Sequence, residues 1–301
     1  MRRVCAVIVT YNRPELLCRC VAKLQEQDYP VDILIYDNHS SSDTKAALQK
    51  NGLLKENVTY FYADENTGGA GGFHNGMKMA YEKGYDDLLL MDDDGYAINE
   101  NTVSELVKVR EKVGENAIIN SLVICNEETL QLSFSLNRSY DGKYMSSQAQ
   151  DGLLKDLISP FNGTLVSAYV VKKIGYPRKE FFVYGDESEY NHRAKRYGVE
   201  LYTAVNSLYY HPTNIGNMKK VLGFNFAVGD VPMWKVYCSS RNTTYYTKLY
   251  FSKKTLIKSI IRSYANVAFC KSRRWERFLT TTKGISDGLK GDFSKKLDLS
   301  K

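Results

Sequence analysis

The sequence predicts an α/β fold: a largely parallel sheet covered by helices, followed by a helical, basic region. Three observations predict it. Short apolar runs at residues 4–9, 32–36, 58–63 and 87–91 alternate with helix-patterned segments, the rhythm of strand–helix–strand units. Acidic clusters at Asp37 and at Asp92, Asp93 and Asp94 close two of these runs. Ligands of such sheets sit outside the carboxyl ends of the strands. Beyond about residue 215 the pattern becomes helical, aromatic and basic.

Each element has a local signal. Residues 4–9 are apolar and β-branched. Pro14 then opens a helix that places Leu16, Leu17, Cys20, Val21 and Leu24 on one face. The second run, 32–36, ends in a loop and helix-cap cluster, Asp37-Asn38-His39-Ser40-Ser41-Ser42-Asp43. The third is followed by a glycine-rich loop and a helix to about Lys83, and the fourth runs straight into the acidic triplet. Strands are expected at 117–125 and 165–171, a polar, loop-rich stretch at 126–160, and a helix from about Asp186 to Tyr197.

Bulk properties narrow the class. Hydrophobic residues make up 43% of the 301 and charged residues 25%, enough for a substantial core and inconsistent with disorder. The net charge of +7 is uneven: residues 251–301 hold 13 Lys and Arg against 4 Asp and Glu, leaving 28 against 30 before them. A basic tail points to an anionic surface, either lipid or nucleic acid. The six cysteines form no zinc or disulfide pattern, so reduced thiols are expected. The N-terminus does not read as a signal peptide, and no apolar run reaches the roughly 20 residues of a membrane span.

Three adjacent carboxylates repel one another unless cations or donors compensate. Asp92 and Asp94 lie at i and i+2 of an extended chain and point the same way. They can serve a nucleotide and a metal while Asp93 turns aside. Divalent cations that hold diphosphates use one or two protein carboxylates and keep positions open for phosphate. A solvated acidic turn is the plain alternative. The run NTGGAGGF at 66–73 has four glycines in five positions, which lets backbone approach a ligand closely. It is neither a dinucleotide fingerprint nor a P-loop, since position 74 is His and no Gly-Lys-Ser/Thr occurs. Asp186, Glu187 and Glu189 open a helix, where acids are ordinary dipole partners. A carboxylate there would also suit proton removal from an attacking hydroxyl. His211 follows an aromatic strand-like run, and taken alone reads as structural.

Together these segments resemble the inverting family 2 glycosyltransferases of GT-A fold. The matched features, in the family's order, are Val9-Thr10-Tyr11-Asn12-Arg13, Asp37-Asn38, the 66–73 glycine run, the Asp92-Asp93-Asp94 triplet and the 186–193 helix. NTGGAGGF and DDD look closest to galactofuranosyltransferases, with rhamnosyltransferases as near relatives. The resemblance implies a Rossmann-like, mostly parallel sheet with helices on both faces over 1–215, split into a nucleotide half (1–100) and an acceptor half (101–215). A helical, basic region occupies 216–301. It implies that Thr10, Arg13, Asn38, Asn66, Gly68, Gly69 and Asp93 border the nucleotide sugar and that Asp37 accepts a hydrogen bond from the base. It implies that Asp92 and Asp94 hold the diphosphate through Mn²⁺ or Mg²⁺ and that His211 joins the metal. Glu187 falls at the catalytic-base position. The family more often has Asp there, which leaves Asp186 as the alternative. UDP-galactofuranose is the donor implied first and dTDP-rhamnose second, with a glycan or lipid-linked glycan as acceptor in cell-surface glycan synthesis.

The tail adds a partner. Over 253–270, Leu256, Ile257, Ile260, Ile261, Tyr264, Val267 and Ala268 share one arc of a helical wheel, with Lys254, Lys258 and Arg262 beyond its edge. Lys271, Arg273, Arg274, Trp275, Arg277 and Phe278 follow. Such a helix can lie on anionic lipid, so residues 252–301 are expected at the inner face of the cell membrane, on the cytoplasmic side. The alternative is a helix packed on the domain with a solvated basic face. No nucleic-acid module is recognisable, and no nucleic-acid partner is expected. A nucleotidyltransferase would place a glycine- and lysine-rich loop after the first strand, where Thr10 to Pro14 has no glycine. A non-catalytic nucleotide-sugar binder would need the glycine run but not two acidic clusters.

Overall fold

The computed structural model describes residues 1–213, 218–221, 224–227, 231–270, 272–295 and 297–299. The first half alternates as expected. Strand β1 (Val4–Thr10) leads to α1 (Pro14–Gln25), β2 (Val31–Asp37), α2 (Thr44–Lys50), β3 (Val58–Tyr62), α3 (Gly68–Glu82) and β4 (Asp87–Asp92). A short β5 (Tyr96–Ala97) and α4 (Thr102–Val113) follow, then β6 (Ala117–Asn126), β7 (Gln131–Leu136), β8 (Ser139–Asp141), α5 (Gly142–Ser147) and β9 (Leu153–Lys155). Next come β10 (Thr164–Ser167), α6 (Ala168–Ile174), α7 (Asp186–Arg196) and β11 (Glu200–Tyr210). A hairpin, β12 (Met218–Val221) and β13 (Phe224–Ala227), precedes α8 (Met233–Tyr250), α9 (Lys253–Phe269) and α10 (Arg274–Lys290).

The main sheet runs β3-β2-β1-β4-β10-β6-β11-β5. Strands β3, β2, β1 and β4 are parallel, and β11 is parallel to β6. Strand β10 lies antiparallel between β4 and β6. One apolar layer gathers α1, with Leu17, Cys20, Val21 and Leu24, against Ile8 and Ile33. The other gathers Phe73 and Met77 of α3 against Val7 and Leu90. At the base of β4, the buried Arg110 guanidinium pairs with Asp87 at 2.9 Å and donates to the carbonyls of Gly114, Ala117 and Leu165. This network satisfies a buried charge that would otherwise be costly.

Several local expectations change. The glycine run is not a loop but the first turns of α3. Leu16 is only partly buried, so the α1 core face is Leu17, Cys20, Val21 and Leu24. The expected strand at 165–171 ends at Ser167, whose side chain caps α6 by accepting from the Val170 amide at 3.1 Å. Residues 126–160 are loop-rich as expected but also carry β7, β8, α5 and β9, and the C-terminal region opens with an antiparallel strand pair before its helices. The expected boundary near 215, and Lys271, lie outside the described residues. All six cysteines are free. No helix among the described residues is long and apolar enough to cross a membrane.

Candidate active site

Register sets the site. Thr10 pairs with Asp37, and Val9 with Asp92, so the last residues of β2, β1 and β4 stand side by side at one sheet end. Asp37 is fully buried; it accepts from the Ser40 amide at 2.8 Å and from the Tyr60 hydroxyl. Asn38 is a staple: its amide donates to Asn66 Oδ1 and the Gly68 carbonyl, and its oxygen accepts from Thr67 N and Oγ1. Asn66 in turn accepts from Gly68 N at 2.9 Å. These two asparagines, expected to face the donor, hold the start of α3.

The glycines of α3 have separate reasons. A side chain on Gly72 would begin 2.4 Å from Val9, and one on Gly76 2.6 Å from Val7, so both permit α3 to lie close on β1. Gly68 has φ +71°, and a Cβ there would fall 2.0 Å from the Phe182 carbonyl oxygen. That oxygen accepts from Ala70 N at 3.1 Å. Gly69 borders open space. Of the run, Gly69 has the room for a ligand to approach the backbone.

The triplet divides its tasks. Asp93 is buried and turns aside, accepting from Thr10 Oγ1 at 2.8 Å and from Arg13 at 3.1 Å. Burial, outweighing these donors, pushes its carboxyl up to about 6. Arg13 also bonds Asp94 at 2.7 Å. Asp92, Asp94 and His211 converge, with one ligand atom from each lying within 4.8 Å of the others. Burial and the Asp94 charge push Asp92 up to about 7. Burial also pushes Asp94 up, but His211 and Arg13 outweigh it and hold the carboxyl below its ordinary value. The His211 ring packs on Phe134, and its Nδ1 meets the Pro212 carbonyl at 2.6 Å. That contact leaves Nε2 3.2 Å from Asp94 Oδ1. Yet Asp94 Oδ1 is buried and satisfied by no hydrogen bond. Two carboxylates and an imidazole, with an orphaned oxygen among them, form a donor set that fits a divalent cation such as Mn²⁺.

Asp186 and Glu187 start α7 after a tight turn in which Phe182, Tyr184 and Gly185 all have positive φ. Burial pushes Asp186 up to about 6 against the amides of the helix start. Glu187 accepts from the Phe161 amide at 3.3 Å; burial, then the charges of Asp186 and Asp92, push it well above the usual carboxylate range. Phe161 is the neighbour of Asn162, whose side-chain amide reaches Asp92, so Asp92 and Glu187 lie on either side of one short segment. Glu189 points elsewhere: it is fully buried on Arg193, Arg178 and the Tyr250 hydroxyl.

Sequence reasoning missed the residues that hold this site. Asn162 is buried and reaches Asp92 at 3.5 Å, while its own oxygen has no partner. The Asn162-Gly163 pair was a visible turn signal, but its target was not. Asn242 of α8, also buried, donates to the carbonyls of Phe181, Val183 and Tyr184, and Arg241 donates to Glu180 and Phe181. The buried Tyr209 hydroxyl, beneath the triplet, has no partner.

This sheet end, with its helix-opening glycines and acidic strand terminus, defines a GT-A glycosyltransferase. The chain belongs to Glycosyl transferase family 2, which matches residues 5–175. It is 31% identical over 229 residues to the galactofuranosyltransferase GlfT1 of Mycolicibacterium smegmatis, covering 73% of this chain and 74% of the relative. It is 32% identical over 225 residues to GlfT1 of Mycobacterium tuberculosis, covering 73% of each. A Campylobacter jejuni GalNAc(5)-diNAcBac-PP-undecaprenol β-1,3-glucosyltransferase is 23% identical over 284 residues, 87% of this chain and 88% of the relative. Among solved structures, the Pyrobaculum calidifontis mannosyltransferase PcManGT, in complex with GDP-Man and Mn²⁺, shares the fold at TM-score 0.56 and 14% identity, over 98% of this chain and 76% of that one.

Proposed function

We propose that this enzyme is a metal-dependent, inverting galactofuranosyltransferase that uses UDP-galactofuranose and a lipid-linked or polysaccharide acceptor. The observation that carries it is the convergence of Asp92, Asp94 and His211 around an unsatisfied carboxylate oxygen, with Glu187 linked to Asp92 through the adjacent Phe161 and Asn162. Identity to two galactofuranosyltransferases supports the donor. Rhamnosyl transfer from dTDP-rhamnose is the second reading.

In this proposal Asp92, Asp94 and His211 hold Mn²⁺ or Mg²⁺, which supplies Lewis-acid neutralisation of the departing diphosphate. Arg13 and Gly69 border the nucleotide, with the buried Thr10 and Asp37 supporting that border from behind. Asn38, Asn66 and Gly68 shape its edge through the start of α3, and Asp93 holds Thr10 and Arg13 in place. Glu187 takes the acceptor hydroxyl's proton while that oxygen attacks the anomeric carbon from the face opposite the diphosphate, inverting the configuration. Residues 1–215 form the catalytic unit, and the C-terminal helices bring it to the inner face of the cell membrane. Exposed Ile257 and Ile261 on α9, with neighbouring cations, support membrane contact.

The test is nucleoside diphosphate release from a panel of nucleotide sugars with Mn²⁺ and glycan acceptors. Acceptor-dependent release of UDP from UDP-galactofuranose is expected. Turnover of dTDP-rhamnose alone would favour the second reading, and release from no donor would leave a binding module.

A further inference from the structure

Asn120 stands in the middle of β6, between Ile119 and Ser121, and is fully buried. A carboxamide in such a place is costly unless its groups are paired. Its amide donates to the Asn162 carbonyl at 2.9 Å and to Thr164 Oγ1 at 2.8 Å, with the Gly163 carbonyl at 3.4 Å. Its oxygen accepts from the Ser159 amide at 3.0 Å. Both donor hydrogens and the acceptor are therefore committed to one turn, residues 159–164. The Ser121 amide adds a bond to the Gly163 carbonyl at 2.9 Å, and Gly163 has φ +65°, which suits glycine.

That turn touches both the base and the cation carboxylates. Phe161 packs edge-on against Phe73 of α3 and Tyr190 of α7, at 5.2 and 5.6 Å between ring centroids. Its amide donates to Glu187 at 3.3 Å. The next residue, Asn162, donates to Asp92 at 3.5 Å. Register puts it there. Thr164 of β10 lies opposite Leu90 of β4 in an antiparallel pair, so the chain two residues before Thr164 meets the chain two residues after Leu90. Consecutive residues thus hold the helix of the base and a carboxylate of the cation site. An in-line displacement needs the attacking oxygen, the anomeric carbon and the departing diphosphate aligned. A misplacement of about 1 Å can cost about a hundredfold in rate.

We propose that Asn120 and Asn162 are positioning residues that fix the spacing between Glu187 and the cation site, Asn162 through Asp92 and Asn120 through the whole turn. The inference rests on the glycosyltransferase reading and deepens it. It gives the buried asparagine of β6 a part in the reaction, although Asn120 touches neither the base nor the cation carboxylates.

The test is hydrogen exchange of the full chain with and without Mn²⁺ and UDP, and in parallel Mn²⁺ and dTDP. In wild type, metal and nucleotide should slow exchange at the start of α3, in residues 159–164 and in residues 186–190. Asn162→Ala removes the contact with Asp92, and Asn120→Asp keeps size and the Ser159 bond but loses both donors. Each should lose the protection at 186–190 and keep that of α3. Turnover is the second readout, taken with whichever of UDP-galactofuranose and dTDP-rhamnose wild type consumes. At saturating Mn²⁺ each variant should lower kcat about tenfold or more with donor KM little changed. The double variant should lose no more than the worse single one, because both act through one turn. Thermal melting checks folding, and Asn162→Ala alone carries the test if Asn120→Asp does not fold. Wild-type protection at 186–190 in the variants, or a loss that falls on KM and not on kcat, would overturn the positioning roles. Nucleoside diphosphate release by wild type would show that the transferase reading survives that result. No protection anywhere in wild type would remove the donor site, and the inference with it.

Discussion

Glu187 and Asp186 are neighbours with unequal surroundings. Asp186 is tied to the amides of its own helix start, whereas Glu187 accepts a single amide bond and feels the charge of Asp92. The freer carboxylate is the better base. Glu187→Gln keeps size and hydrogen bonding, and we expect turnover to fall at least about a hundredfold with donor affinity little changed. Single-turnover kinetics on purified variants check this; near-normal turnover would move the role to Asp186. His211 sets a second residue-scale prediction. Burial lowers its pKa, but the close ion-pair contact with Asp94 and the charge of Asp92 outweigh that and raise it. The metal-free pairing thus contributes stability that is full below the unfolded histidine value and is lost as pH rises through the raised folded one. Metal needs the neutral ring, so Mn²⁺ affinity should increase over that same interval. Calorimetry at pH 6 to 8.5 measures it, and affinity that does not change with pH would exclude His211 as a ligand.

Elements carry the precision of the site. The turn before α7 has three positive-φ residues, and Asn242 of α8 donates to three of its carbonyls. Asn242→Ala would leave those carbonyls short of donors in a buried place, at about 2–4 kcal/mol from several lost bonds. We expect a lower denaturation midpoint and a larger loss in turnover than in donor binding. A turnover loss no larger than the binding loss would remove the positioning role. Gly68→Ala strikes the same junction from α3, because its Cβ would meet the Phe182 carbonyl. The strands that end in Asp37 and Asp92 were legible because a buried parallel strand is a short apolar run and its end needs no tertiary knowledge. The glycine run was legible as special but misread as loop, since Val7, Val9 and Phe182 are the neighbours that demand it and none is near in sequence. Asn242 was illegible for the same reason: its partners lie about sixty residues earlier. The strand expected to 171 was cut by a serine cap that an apolar run conceals.

At the scale of the molecule, the C-terminal helices are not a detachable tail. Gly284 and Gly288 let α10 lie directly on α8, where a Cβ would fall 2.1 Å from Ser240 Oγ or 2.4 Å from the Arg241 carbonyl. Tyr237 of α8 also bonds Asp287 of α10 at 2.7 Å. Deleting 252–301 would strip the support from Asn242, so membrane contact is better tested on the surface. Ile257 and Ile261 are 58% and 61% exposed, and Trp275 72%. We expect I257E/I261E to stay folded and to lose co-sedimentation with anionic liposomes, while wild type binds in a salt-dependent way. Equal sedimentation would leave α9 as a solvated helix.

The central claim, that acids far apart in the chain meet around a cation and a diphosphate, is tested most directly by electron paramagnetic resonance of Mn²⁺ titrated into the protein with UDP present. Wild type should deplete the free-ion signal at one site per chain, and Asp94→Asn and His211→Ala should each need at least about tenfold more Mn²⁺, the cost of losing even an outer partner of a metal ligand. Identical titration curves for all three proteins would contradict the account.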